Sequence, residues 1–209
     1  MPATVITLPL GATATNCYLF GDPVTKEAAV VDPGYEAPRV LAAARLCGLR
    51  IKIVLLTHAH FDHIGGVAGV VETTGAPLAM HPLDLPLLHA KGGATLWGIP
   101  MDTPPDPTMD LKPGDVIEVG RLRLATLFTP GHTPGHVGFY ERAEGILFDG
   151  DVLFQGSIGR TDLPGSNHDT LMKSIREQLL TLPDETIVYP GHGGPTTIGD
   201  ERWGNPFLS

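Results

Sequence analysis

The hexapeptide His58-Ala59-His60-Phe61-Asp62-His63 places four side chains able to bind a cation within six positions. In extended backbone, residues two apart face the same way, so His58 and His60 can point at one ion while Ala59 faces away from it. Asp62 and His63 follow directly, and Gly65-Gly66 permits a tight turn behind them. A helix beginning there would favour an anionic oxygen near its first turn. With this composition, a His-x-His-x-Asp-His match arises by chance about once in a thousand such chains, so the pattern signals metal chemistry. Imidazole and carboxylate donors suit zinc, and iron or manganese as well. A water bound to such a cation loses a proton near neutral pH and can act as the nucleophile, so no serine or cysteine nucleophile is required.

Four apolar runs lead into ionisable residues of this kind. Ile53 to Leu56 precedes His58, Leu124 to Phe128 precedes His132, Ile146 to Phe148 precedes Asp151, and Ile187 to Tyr189 precedes His192. Strands buried side by side bring their ends to one sheet edge, where loops can present distant residues to a common point. The other histidines read as structural. His81, before Pro82, caps a strand or helix end, His89 sits in an apolar helix, His136 could support a ligand from four residues beyond His132, and His168 adjoins Asn167 before a helix.

The elements that would carry these residues follow from periodicity and turn chemistry. Strands are expected at Val5 to Leu8, Cys17 to Phe20, Ala28 to Val31, Ile51 to Leu56 and Ala76 to Met80. Further strands are expected at Val116 to Val119, Leu122 to Phe128, Val137 to Tyr140, Ile146 to Phe148 and Thr186 to Tyr189. Helical spacing appears at Glu36 to Leu46, Gly65 to Thr74, Leu83 to Ala90 and Asp169 to Leu180. Lys91 to Asp110 holds four prolines and three glycines and reads as a long loop of the kind that lines sites. The order implies mixed sheets flanked by helices.

Composition bounds the rest. A chain of 209 residues, 42% hydrophobic and 18% charged, can bury a full core, and its 26 glycines and 20 prolines are scattered rather than gathered into a linker, so one domain spanning 1–209 is expected. Acidic residues exceed basic ones by 23 to 14, and the net charge of −9 opposes binding to nucleic acid or anionic membranes. Met1 to Asn16 lacks the basic start and apolar run of an export signal or membrane span, so a cytoplasmic protein is expected. Cys17 and Cys47 are then expected to be small buried hydrophobes without a disulfide. Oligomeric state is not readable at this level.

The motif Thr57 to Gly66, the segment Pro130-Gly131-His132-Thr133-Pro134-Gly135-His136, Phe148-Asp149-Gly150-Asp151 and Tyr189-Pro190-Gly191-His192-Gly193 together resemble the metallo-β-lactamase superfamily over about Asn16 to His192. The resemblance implies an α+β fold, a four-layer αββα sandwich with its site at one edge of the paired sheets. It implies two divalent cations, with His58, His60 and His132 holding the first, Asp62, His63 and His192 the second, and Asp151 bridging them. Asp32, in Val31-Asp32-Pro33-Gly34, would orient a ligand histidine.

Within the superfamily the chain is similar to short bacterial glyoxalase II-like proteins. That implies a metal-dependent hydrolase acting on a small thioester such as S-lactoylglutathione, with a metal-bridging hydroxide as nucleophile, Asp62 aiming the attack and assisting proton transfer, and Arg160 holding the glutathione part. The chain departs from the larger glyoxalase II enzymes where Asp162 replaces a tyrosine two residues after Arg160, and it ends 17 residues after His192, short of their helical C-terminal segment. Arg160 could equally pair with a carboxylate. The run Gly159-Arg160-Thr161-Asp162-Leu163 also partly resembles iron-dependent persulfide dioxygenases, which form the alternative enzyme class. A lactonase fits the same motifs, and β-lactam hydrolysis is disfavoured by Asp151 at the bridging position and by the N-terminus. RNA processing is disfavoured by charge.

Overall fold

A computed structural model describes residues 2–208. The chain opens with the strands β1 (Thr4–Leu10), β2 (Thr15–Gly21) and β3 (Glu27–Val31), followed by α1 (Ala37–Leu46), β4 (Arg50–Leu55), α2 (Phe61–Ile64), α3 (Val67–Thr74), β5 (Leu78–Met80), α4 (Leu85–His89) and β6 (Met109–Asp110). These six strands form one sheet in sequence order, antiparallel from β1 to β3 and parallel from β3 to β6.

The second half supplies β7 (Val116–Val119), β8 (Leu122–Phe128), β9 (Val137–Glu141), β10 (Ile146–Gly150), a small hairpin of β11 (Leu153–Phe154) and β12 (Ser157–Ile158), α5 (His168–Ser174), β13 (Ile187–Pro190), β14 (Thr196–Thr197) and α6 (Ile198–Gly204). Its main sheet runs β14-β13-β10-β9-β8-β7, with β10 and β13 parallel and the other neighbours antiparallel.

Alternation along the strands builds the layers. In β2, Tyr18 and Phe20 face the second sheet and meet Phe148, each with ring centroids 5.2 Å apart. Cys17 and Leu19 face the other way, into a core closed by Val40 of α1, Val70 of α3 and Leu88 of α4. On the far side, Leu147 and Val188 pack under Leu171 of α5 and Ile198 of α6. The result is the αββα sandwich, and it explains why β2 and β10 are buried at every position. No helix among the described residues is long and apolar enough to cross a membrane.

Some local expectations need correction. The helix expected at Gly65 to Thr74 starts two residues later, as α3 at Val67, and Gly65 and Gly66 part it from the short α2 that precedes it. Lys91 to Asp110 is not wholly irregular: Lys91–Trp97 forms 3₁₀ turns, interrupted where Gly92 and Gly93 take positive φ, and Met109–Asp110 adds an edge strand. The helix expected to run to Leu180 widens after Ser174 into a π turn, where the Leu180 N–H reaches the Ile175 carbonyl. Cys17 is buried, but Cys47 is exposed beside the end of α1; both are free thiols.

Candidate metal centre

Each sequence-predicted ligand lies on a segment just beyond a strand. His58, His60, Asp62 and His63 leave β4 and enter α2, His132 lies between β8 and β9, Asp151 follows β10, and His192 follows β13. The seven side chains meet at one edge of the sandwich. His60 Nδ1 lies 2.9 Å from His132 Nε2, and His192 Nε2 lies 3.2 Å from Asp62 Oδ2. Asp151 Oδ2 stands 3.6 Å from His132 Nε2 and 3.6 Å from His192 Nε2, while Asp151 Oδ1 is 3.5 Å from His63 Nε2.

Three groups of three donors result, His58 with His60 and His132, Asp62 with His63 and His192, and Asp32 with His58 and His63 behind them. Donors bound tetrahedrally at 2.0–2.2 Å stand about 3.3–3.6 Å apart, so most of these separations match donors sharing an ion. His58 Nε2, His63 Nε2 and Asp151 Oδ1 are buried without a hydrogen-bond partner. Unpaired polar atoms of this kind are costly inside a protein unless something else satisfies them, and a pair of cations would.

Four of the five imidazoles share a tautomer, and His60 is the exception, since its Nδ1 is the nitrogen that faces His132 Nε2. His63 Nδ1 donates to Asp32 Oδ2 at 2.9 Å, His132 Nδ1 to the Arg160 carbonyl at 2.9 Å, and His192 Nδ1 to the Thr13 carbonyl at 3.3 Å. Thr57 Oγ1 donates to Asp32 Oδ2 at 2.6 Å, which leaves it to accept from His58 Nδ1 at 3.0 Å. An oxygen acceptor on Nδ1 fixes the proton there and turns the Nε2 lone pair toward the centre. Asp32 also accepts the Thr57 N–H at 2.8 Å, so one buried carboxylate orients two histidines, directly for His63 and through Thr57 for His58.

Charge distribution follows from burial and crowding. Burial pushes His58 well below the ordinary imidazole value, and the surrounding histidines push it further. Burial, reinforced by His132 and His63, holds His60 at about 3. His63 is raised well above its ordinary value, since Asp151, Asp62 and Asp32 outweigh its burial. Burial works against ionised Asp62, yet His63 and His192 bring it down to about 2. Asp151 lies below the usual carboxylate range for the same reason, against burial and through His63, His132 and His192. The centre therefore keeps its carboxylates charged.

The residues treated as structural sort differently. His136 is buried and stacked on His58, with centroids 5.0 Å apart, and its Nε2 accepts the Asp151 N–H at 3.1 Å. Its Nδ1 hydrogen then goes to Thr129 Oγ1 at 2.9 Å, and burial keeps the ring neutral. His81 caps the turn at Pro82–Asp84 by accepting from the Leu83 N–H. His89 ends α4 and pairs with exposed Asp106, and His168 begins α5 after the Asn167 cap. Arg160 borders the site with its guanidinium joined to Asp162 by two bonds of 2.7 and 2.8 Å.

Sequence reasoning missed Asp84. Fully buried, it accepts from the Ala59 N–H at 3.1 Å, Thr133 Oγ1 at 2.7 Å and the Gly135 N–H at 2.6 Å, tying the His58–His63 segment to the loop that carries His132. No spacing marks it, because Pro82-Leu83-Asp84-Leu85-Pro86 reads as a turn with one acidic residue. Gly191 matters for another reason: a Cβ there would strike Asp151 Oδ1 and His63 Cε1.

Two sheets packed face to face, with clustered histidines and aspartates at one edge, define a metal-dependent hydrolase fold. The chain belongs to the metallo-beta-lactamase superfamily, whose family model matches residues 10–192. It is 39% identical to hydroxyacylglutathione hydrolase GloC of Haemophilus influenzae over 97% of this chain and 96% of that one. Among solved structures it is similar to BLEG-1, a B3 metallo-beta-lactamase (TM-score 0.93, 41% identity, 99% and 100% of the two chains). It is also similar to a di-iron-bound form of TTHA1623 (0.89, 43%, 97% and 100%) and to ETHE1 from Myxococcus xanthus (0.83, 30%, 98% and 84%).

Proposed function

We propose that this chain hydrolyses a small thioester of the S-lactoylglutathione kind at a pair of divalent cations. The observation that carries the reading is the placement of Asp151 Oδ2 at 3.6 Å from both His132 Nε2 and His192 Nε2, a carboxylate oxygen shared between two donor clusters. The activity named for GloC supports the thioester, and the two irons of TTHA1623 support two cations.

In this reading His58, His60 and His132 hold one cation, Asp62, His63 and His192 the other, and Asp151 serves both. When bound, the cations would supply an acidified water and polarise the scissile carbonyl. The chain's own residues do the rest. Asp32 keeps the His63 proton on Nδ1, and Thr57 accepts the corresponding proton of His58. Asp62, charged at neutral pH, accepts a hydrogen bond from the attacking water and passes its proton toward the departing thiolate. Thr15 Oγ1 donates to Asp62 Oδ2 at 3.0 Å and restrains that carboxylate. Arg160 offers a cation to an anionic substrate once Asp162 yields it.

The likeness to BLEG-1 keeps a β-lactam among the substrates to be tested. A panel of thioester, lactone and β-lactam, assayed after loading with zinc or iron(II), therefore tests the reading. About two metal ions per chain and thiol release without oxygen are expected in both forms. Oxygen uptake with glutathione persulfide, confined to the iron form and without thioester cleavage, would transfer the chain to the dioxygenase class. Metal content near zero would overturn both.

A further inference from the structure

Five of the seven donors, His60, Asp62, His132, Asp151 and His192, line a cavity of about 1020 Å³ whose remaining wall is almost uncharged. Helix α4 contributes Leu87, the segment after it Leu96, Trp97 and Ile99, and the segment around β12 contributes Ile158 and Leu163. Outside the donors, Arg160 is the one charged lining residue among those described, and its guanidinium is already engaged by Asp162. Glutathione, with two carboxylates and an ammonium, would find few polar partners on this wall.

Leu96 and Trp97 are 71% and 57% exposed. Apolar side chains of that size left open to water beside a reactive centre mark a place where a ligand removes them from solvent. Their position is set by backbone. Gly92, Gly93 and Gly98 all take positive φ around the 3₁₀ turns, and a Cβ on Gly92 would collide with the backbone of Ala59, His60 and Phe61. The segment is thereby seated directly on the loop that carries His58, His60 and Asp62.

We propose that Leu96 and Trp97 form a binding wall for an apolar group of the substrate, so that the preferred thioester carries an aliphatic or aromatic group larger than the lactoyl methyl. This rests on the thioester reading and narrows it. The shared chemistry is an apolar group beside the scissile bond, carried on either the acyl or the thiol side.

Two substrate series separate those sources with zinc-loaded full-length protein. One fixes glutathione and lengthens the acyl group from acetyl through butyryl and hexanoyl to phenylacetyl. The other fixes the lactoyl group and lengthens an alkyl thiol. In at least one series kcat/KM should rise about threefold per added methylene over the first few. The double substitution Leu96→Ala, Trp97→Ala should flatten that slope, with circular dichroism checking the fold.

Binding is read independently of turnover. Trp203→Phe leaves Trp97 as the only tryptophan, since the chain contains two. Its emission should shift to the blue with S-hexylglutathione, and less with S-methylglutathione at equal concentration. Thioesters cleaved with flat profiles in both series would overturn the wall and leave the thioester reading standing. If no thioester is cleaved, the reading itself fails, and Trp97 emission indifferent to the hexyl group would then overturn the wall as well.

Discussion

The carboxylate of Asp84 accepts the backbone N–H of Gly135 at 2.6 Å, and this bond joins the turn before α4 to the loop between β8 and β9. Gly135 is tightly held there, since a Cβ on it would meet the Asp84 side chain and backbone. With Ala59 and Thr133 also donating, the three donors face acceptor oxygens only. Asp84→Asn would turn an amide NH₂ toward at least one of them. We expect a loss of about 1–3 kcal/mol of stability in urea unfolding. Metal affinity should fall by roughly 10–100-fold in chelator competition. A variant with lowered stability but unchanged affinity would confine Asp84 to a folding role.

Asp151→Asn should leave the fold largely intact while lowering turnover by roughly a hundredfold or more, since an amide cannot supply the negative oxygen shared by two cations. His136→Phe probes the same oxygen from behind. It deprives the Asp151 N–H of its acceptor while keeping an aromatic ring against His58. We expect about 1–3 kcal/mol of destabilisation and a reduced metal content by elemental analysis. Full metal content in His136→Phe would show that the Asp151 backbone needs no such support.

Arg160 and Asp162 form an exposed pair, and such pairs contribute only about 0–1 kcal/mol to stability. Substitutions here should therefore act on substrate rather than on folding. Arg160→Ala should raise KM for an anionic thioester and spare kcat, whereas Asp162→Ala should release the guanidinium and lower KM for the same substrate. Steady-state kinetics on both variants settle the role. Unchanged KM in both would return Arg160 to the structural role of holding Asp162.

Asp22 joins the two sheets at the edge opposite the histidines. Its carboxylate accepts from the Val24 N–H, Thr25 Oγ1, the Arg121 N–H and the Arg121 guanidinium. Those bonds, Arg121 foremost, hold it below the usual carboxylate range, although burial pushes the other way. A carboxyl depressed in the folded state stabilises above its unfolded value, near 4, and loses that contribution as pH falls through the folded one. Asp22→Asn should thus lower the Tm at pH 7, and the gap to the parent protein should narrow below about pH 4. A gap independent of pH in thermal scans would contradict this.

Much of the sandwich was legible because its strands are buried on both faces and stand out as apolar runs. Ile53 to Leu56 and Ile146 to Phe148 announce both a strand and the candidate donor beyond it. Side-chain chemistry that depends on three-dimensional partners left no such trace. Asp84 looks like a surface turn residue until Ala59, Thr133 and Gly135 are seen around it, and His136 looks like any histidine until Asp151 donates to it. Leu96 and Trp97 fell inside a segment whose prolines and glycines hide periodicity. Helix α6 had a readable start in Thr197, whose hydroxyl accepts the Asp200 N–H, but only seven residues follow before Asn205 ends it.

The order of the seven donors along the chain has its own consequence during synthesis. His58 to His63 leave the ribosome first and His192 last, with β7 to β13 between them. Chains grow at about 5–20 residues per second, so the first histidines spend seconds without the partners that would hold them in place. A nascent chain stalled before Tyr189 would present an N-terminal sheet whose inner face, with Tyr18 and Phe20, lacks part of its cover. Arrest at graded lengths, followed by limited proteolysis, should show resistance arriving late and in one step, once β13 and the residue beyond it have emerged.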